Sequence, residues 1–155
     1  GHADGLATGD PVLTADGLVG RVTDLTASTA EVRLITDPNS RIACQLDPVA
    51  PETGVVRGIL HGAGWRAGPA ARPELLHVVD PLRLRYLERD VVPPPRTRVV
   101  TSGLGGTLPP GLLVGYLLDS EVDENGLYRM GDVMPAVDFG ALKLVYAMVS
   151  GGRAP

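Results

Sequence analysis

The sequence predicts an all-β fold: two small, mainly antiparallel six-stranded-type β-barrel subdomains with little helix. Three observations carry this prediction. Apolar and polar residues alternate with period two in stretch after stretch, the signature of half-buried strands. Glycine and proline number 20 and 14 among 155 residues, against roughly 7% and 5% in an average chain. They fall between short apolar runs rather than in one tract, as turns between short strands do. Finally, the two ends of the chain echo each other. Residues 12–46 run V-L-T, then G-L-V-G-R-V, then a strand ending in T-D-P-N-S-R-I. Residues 99–149 run V-V-T, then G-L-L-V-G-Y-L, then a strand ending in P-A-V-D-F. Such an echo suggests two related barrels.

In chain order, GLVGRVTDLT and AEVRLIT read as the first long strands, with Asp16-Gly17 just before them as a hairpin signal. TDPNSR (36–41) combines Asp-Pro with Asn-Ser, both good turn formers. In RIACQL (41–46), Ile42, Cys44 and Leu46 share one face, and Ala43 and Gln45 the other. GVVRGIL adds a further strand candidate. HGAGWRAGPAARPE (61–74) is loop-like, with a turn or two of helix expected near 72–78 behind Pro73. In LRLRYLER (82–89), Leu82, Leu84 and Tyr86 share one face and Arg83 and Arg85 the other. The triple proline 93–95 should be stiff and extended. It sets the expected division at 91–96, with a first subdomain over 3–90 and a second over 96–150, strand exchange between them remaining open. RTRVVTS and LLVGYLLDSEV follow as strands. Asn125-Gly126 is expected at a type I′ hairpin tip. LKLVYAMV (142–149) places Leu142, Leu144, Tyr146 and Met148 on one face.

Composition excludes several functions. A net charge of −4 and 4% aromatic residues leave neither the basic stripe nor the stacking platforms of a nucleic-acid binder. Cys44 is the only cysteine, so no internal disulfide and no Cys/His zinc spacing exists. No apolar run reaches the ~20 residues that cross a bilayer. The opening Gly1-His2 reads as a scar of tag removal, which predicts that the native N-terminus has been cut away.

The stretch VVTSGLGGTLPPGLLVG (99–115) decides whether the chain reads as an enzyme. A phosphate-binding loop needs G-x-x-x-x-G-K-[ST] leading into a helix. Here no lysine is present, and Pro109-Pro110 precede a good strand. Gly103, Gly105, Gly106, Pro110 and Gly111 therefore read as a tight structural turn in which glycine supplies positive φ and close backbone approach. A chymotrypsin-like protease has the order His, Asp, Ser. His61, Asp80 or Asp90, and Ser102 occur in that order, but they crowd into one stretch without a G-D-S-G-G-like loop. His77 sits in a mixed apolar run. Asp119, Glu121, Asp123 and Glu124 match neither a glycosidase pair nor a calcium loop and read as a solvated hairpin tip. Trp65 is open between an exposed contact and a lid over the core. No catalytic residue, cofactor or metal ligand is assigned. A small-ligand or wall-binding barrel stands as a further alternative beside the protease.

Three ordered segments carry a resemblance. GDPVLTADGLVGRVTDLTASTAEVRLITDPNSRI, VVTSGLGGTLPPGLLVG and VMPAVDFGALKLVYAMV resemble the C-terminal part of the rod shape-determining MreC family. There, "GLVG-V…LLTDPNS-I", "TSGLGG…PPGLPVG" and "P-A-V-D-F…L" recur in the same order. The match covers residues 9–46 and 96–149. LRYLERD fits the family's short strand, whereas 62–81 reads as an insertion and Leu113 replaces the usual proline. The resemblance implies a non-enzymatic extracytoplasmic scaffold of the cell-elongation complex, made of two small β-barrels. An N-terminal membrane helix and a coiled coil would precede it and anchor it at the inner membrane. Implied partners are the elongation-specific class B penicillin-binding protein (a transpeptidase), RodA, MreD and MreB, with self-association as a dimer or filament. A scaffold of this kind should expose apolar side chains, and Leu104 and Leu108 in the glycine loop are the candidates. The other reading of the same two leucines is a seal on the barrel end. Trp65, Leu75 and Leu76 of the insertion are weaker candidates, since an insertion is a poor place for a contact shared across a family.

Overall fold

Alternating side chains become alternately buried and exposed wherever a strand has a core on one side only. A computed structural model of the chain describes residues 1–47, 54–62, 82–106, 108–142 and 144–149. Among these, ten strands form: β1 (Pro11–Leu13), β2 (Leu18–Leu25), β3 (Ala30–Leu34), β4 (Arg41–Asp47), β5 (Arg57–His61), β6 (Leu82–Glu88), β7 (Thr97–Thr101), β8 (Leu113–Val122), β9 (Tyr128–Pro135) and β10 (Tyr146–Ala147). Among the described residues, helix is confined to two 3-10 turns, His2–Asp4 and Phe139–Ala141. The all-β reading holds, and in β4 the expected face is the real one: Ile42, Cys44 and Leu46 are buried, while Arg41 is exposed and Ala43 and Gln45 are half-buried.

Six strands close into a barrel in the order β4-β5-β6-β9-β8-β7, and four form a sheet in the order β10-β1-β2-β3. Every pairing is antiparallel. The barrel closes where β4 meets β7, with Cys44 opposite Thr101 and Leu46 opposite Val99. Strand pairing therefore runs across residues 91–96 rather than dividing there. Three strands from either side of the prolines cannot each enclose a core, and they bury their inner faces by closing on one another. The chain's two ends meet likewise, β10 returning to pair with β1. Of the two barrels expected, the described residues show one closed barrel and one open sheet.

Leu18 and Ile35, from either end of the β2–β3 hairpin, join the barrel's core of Leu60, Leu82, Leu84, Leu87, Val99, Val114 and Leu117. The opposite face of β2 carries Val19 and Val22, which pack with Val12 and Val137 in a second cluster. Phe139 touches both clusters. Each large apolar side chain fully buried in this way contributes about 1.5–3 kcal/mol.

Two expected faces are corrected. The register of β6 against β9 shifts between Leu84 and Leu87, and Tyr86 has φ 64°. This bulge inserts one residue and reverses the alternation beyond it. Tyr86 is consequently 51% exposed and Leu87 takes its place in the core. Gly58 accommodates the bulge, since a β-carbon there would lie 2.7 Å from the Arg85 carbonyl oxygen. Among the described residues of the C-terminal segment only Tyr146 and Ala147 form a strand, and Leu144, Tyr146 and Met148 are exposed together with Val145 and Val149. A three-residue partner strand gives β10 no inner face to fill. The Asn125-Gly126 turn is also longer than a two-residue hairpin. Asp123 accepts from the Gly126 N–H at 3.0 Å, its carboxylate accepts from the Leu127 N–H at 3.1 Å, and Gly126 alone has positive φ.

Candidate functional site

The loop between β7 and β8 is organised by Thr101. Its side chain is fully buried; its hydroxyl donates to the Pro109 carbonyl at 2.7 Å and accepts from the Leu112 N–H at 2.9 Å. The backbone bonds Thr101 N–H to Leu112 O (2.9 Å) and Gly111 N–H to Thr101 O (2.8 Å) close the base of the loop. Ser102 N–H reaches across to the Ala43 carbonyl at 3.0 Å and ties the loop to β4. Gly103, Gly105, Gly106 and Gly111 have φ of 78°, 85°, 77° and 85°, the left-handed region in which a side chain is strained. Gly103 is confined as well: a β-carbon there would sit 3.1 Å from the Pro110 ring.

The two candidate leucines part company. Leu108 is 8% exposed and belongs to the barrel core, whereas Leu104 is 55% exposed at the loop tip. Beside Leu104 lies a depression of about 300 Å³, lined by Gly103, Gly105 and Leu108 from the loop, Ile42, Ala43 and Ile59 from β4 and β5, and Arg21 and Arg41. The loop, the barrel wall and the four-stranded sheet all contribute to it, so it exists only because the two units meet.

Sequence spacing gave no warning of the charge gathered on the adjoining wall. Arg41, His61 and Arg83 lie directly opposite one another across β4, β5 and β6, with Asp132 of β9 completing the row. The next row is Ala43, Ile59 and Arg85, followed by Gln45 and Arg57. Arg83 pairs with Asp132 at 3.4 Å. Arg41 is aimed by donating to the Pro38 and Ser40 carbonyls, both at 2.8 Å. His61 registers the resulting field. Burial, then the Arg41 and Arg85 charges, push its pKa down to about 4, and its Nε2 is buried without a hydrogen-bond partner among the described residues. The Tyr86 ring stands 6.1 Å from His61 and meets Tyr128 edge-on at 5.5 Å.

Nothing among the described residues assembles a nucleophile, base and orienting acid. Ser102 Oγ accepts from the Leu104 N–H at 3.2 Å, a turn-stabilising bond. Asp80, His77, Trp65, Leu75 and Leu76 lie outside the described residues. Asp119, Glu121, Asp123 and Glu124 fall at the end of β8 and the start of the hairpin loop. Among the described residues no group of three His, Cys, Asp or Glu side chains could hold a metal, and no helix is long and apolar enough to cross a membrane. Cys44 is buried inside the barrel, which pushes its thiol up to about 12.

Known proteins share both the sequence and this architecture. The chain is 39% identical over 115 residues to the cell shape-determining protein MreC of Caulobacter vibrioides, which covers 74% of this chain and 28% of that relative. A solved MreC structure from Listeria monocytogenes superposes with a TM-score of 0.78 at 28% identity, over 95% of this chain and 63% of the other. The fold is also that of an MreC chain solved as a complex with penicillin-binding protein PBP2 from Helicobacter pylori, with a TM-score of 0.61 at 17% identity over 88% of this chain and 74% of that one. The chain spans between 28% and 48% of the length of the relatives it matches. The family model for the rod shape-determining protein MreC, barrel core, matches residues 1–149. With that match running from the first strand through the last, the chain belongs to the MreC family.

Proposed function

We propose that this chain is a non-enzymatic scaffold on the extracytoplasmic side of the bacterial inner membrane, where it holds the class B transpeptidase of cell elongation. The single observation that carries this is membership of a family in which one member with the same fold is described in complex with PBP2. The surface chemistry agrees with it. Exposed Leu104 beside a shallow, partly apolar depression offers contact area without a catalytic constellation. Leu104 is the contact residue, and Leu108 closes the barrel beneath it. The wider role follows the same reading: coupling to RodA, MreD and MreB, through a membrane helix and a coiled coil outside this chain, with self-association into a dimer or filament.

The test is binding of the purified chain to the extracytoplasmic region of its own organism's elongation transpeptidase. Saturable association supports the role. Absence of association under conditions where both proteins are folded would contradict it. Labelling of Ser102 by a fluorophosphonate would instead make the chain a hydrolase.

A further inference from the structure

We propose that the depression beside the glycine loop, together with the arginine-lined wall of β4–β6, docks an acidic partner segment carrying one large apolar side chain. The inference rests on the scaffold role proposed above and names the chemistry that the partner must present. Ile42, Ala43, Ile59 and Leu108 give the depression apolar lining, and the exposed Leu104 lines it too. Its volume of about 300 Å³ lies at the bottom of the range for small-molecule sites, so it suits one side chain rather than a whole ligand.

The surroundings select the flanks of that side chain. Arg21 and Arg41 line the depression itself, and Arg85 is the cross-strand neighbour of Ile59, which lines it too. Arg57 and Arg83 extend the same wall. The chain as a whole is negatively charged at −4, so this concentration of cations is local. Asp132 pairs with Arg83, Arg21 is also engaged within the chain, and Asp47 lies near Arg98 on the far side of β4. His61 lies within the same row, its basicity lowered first by burial and then by the Arg41 and Arg85 charges.

Geometry matches an extended segment. Neighbouring strands lie about 4.8 Å apart, and alternate residues of an extended chain lie about 6.5–7 Å apart on one side. Carboxylates flanking an apolar residue in such a segment reach arginines one or two strands away. Guanidinium groups suit carboxylates because they bind them through two parallel hydrogen bonds. Arg41 is already oriented by its two carbonyl contacts, which lowers the entropy lost on docking. A flat anionic lipid surface would have to meet the rest of a net-negative protein, whereas a narrow acidic segment meets only this wall.

The experiment uses the whole chain and three probes: the extracytoplasmic transpeptidase region, the peptide acetyl-Glu-Glu-Phe-Glu-Glu-amide with its lysine counterpart, and phosphatidylglycerol vesicles. Variants are Arg85→Glu and Arg41→Glu, with Arg98→Glu as a charge-matched control outside the depression. The expected result is binding of the acidic peptide but not the lysine peptide, weakened about tenfold or more by Arg85→Glu. Arg98→Glu should leave it unchanged, and Arg85→Glu should leave the melting temperature unchanged. Equal binding of both peptides, or peptide binding insensitive to Arg85→Glu, overturns the proposal. So does binding to vesicles alone, or competition by a second copy of the chain through its Asp119–Glu124 hairpin. If the transpeptidase region binds and Arg85→Glu leaves that unaffected, the docking chemistry fails while the scaffold role stands. If the peptide binds through Arg85 and the transpeptidase region does not bind, the docking chemistry stands and the partner is a different acidic protein.

Discussion

The hydroxyl of Thr101 donates to the carbonyl oxygen of Pro109 at 2.7 Å while accepting the N–H of Leu112 at 2.9 Å. One fully buried side chain at the end of β7 thus holds two points of a loop that returns to β8. Both bonds form away from water, where leaving a partner unsatisfied costs more than a surface bond returns.

Thr101→Val keeps the shape of the side chain and removes the hydroxyl. It is expected to cost about 1–3 kcal/mol, the penalty for stranding buried polar groups. Thr101→Ser should recover most of the loss. Urea denaturation of the three proteins checks this, and equal midpoints for threonine and valine would contradict it.

Gly103 and Gly105 share a left-handed backbone but differ in surroundings. Gly103 faces the Pro110 ring, and Gly105 has nothing among the described residues within 4 Å of where a β-carbon would stand. Valine at either position should lose about 1–3 kcal/mol from backbone strain, with Gly103→Val the more damaging. Thermal denaturation gives the ranking, and an unaltered melting temperature for both variants would show that the loop tolerates side chains.

What the sequence made legible was local. The alternation of RIACQL became the inward face of β4 because a closed barrel has one inside, and the glycine loop was visible as a turn. LRLRYLER failed at Tyr86 because a bulge depends on the partner strand as much as on its own residues. At 91–96 the strand exchange left open is what the sheet order shows: prolines mark an interruption but do not say which strands pair across it. Thr101 lies in the strand candidate RTRVVTS, and only the fold shows what its hydroxyl reaches. Arg41, Arg57, Arg83 and Arg85 are scattered over three strands, and their convergence is a property of register alone.

His61 makes acid stability testable. Its pKa falls from 6.5 to about 4 in the folded chain, so the native state binds fewer protons than the unfolded state between those values. Stability from this residue is fully present above pH 6.5 and declines as pH drops toward 4. Replacing His61 with Leu should flatten that part of the stability–pH profile. A profile of unchanged slope in the variant would assign the acid sensitivity to other groups.

Cys44 gives the opposite sign. Burial raises its thiol from 9.0 to about 12, so its contribution is complete below pH 9 and is lost between 9 and 12, where the unfolded thiol ionises first. A thiol reagent at pH 8 should label the chain only after denaturation. Rapid labelling of the native chain would show that the barrel opens.

The proposed division of the glycine loop, with a partner contact at Leu104 and a barrel seal at Leu108, can be separated by measuring, for Leu104→Asp and Leu108→Asp, both the melting temperature and the affinity for the elongation transpeptidase's extracytoplasmic region. Leu104→Asp is expected to melt like the parent and lose about tenfold or more in affinity, whereas Leu108→Asp, with a charge forced into the core, fails to fold. Undiminished binding by a folded Leu104→Asp protein would contradict it.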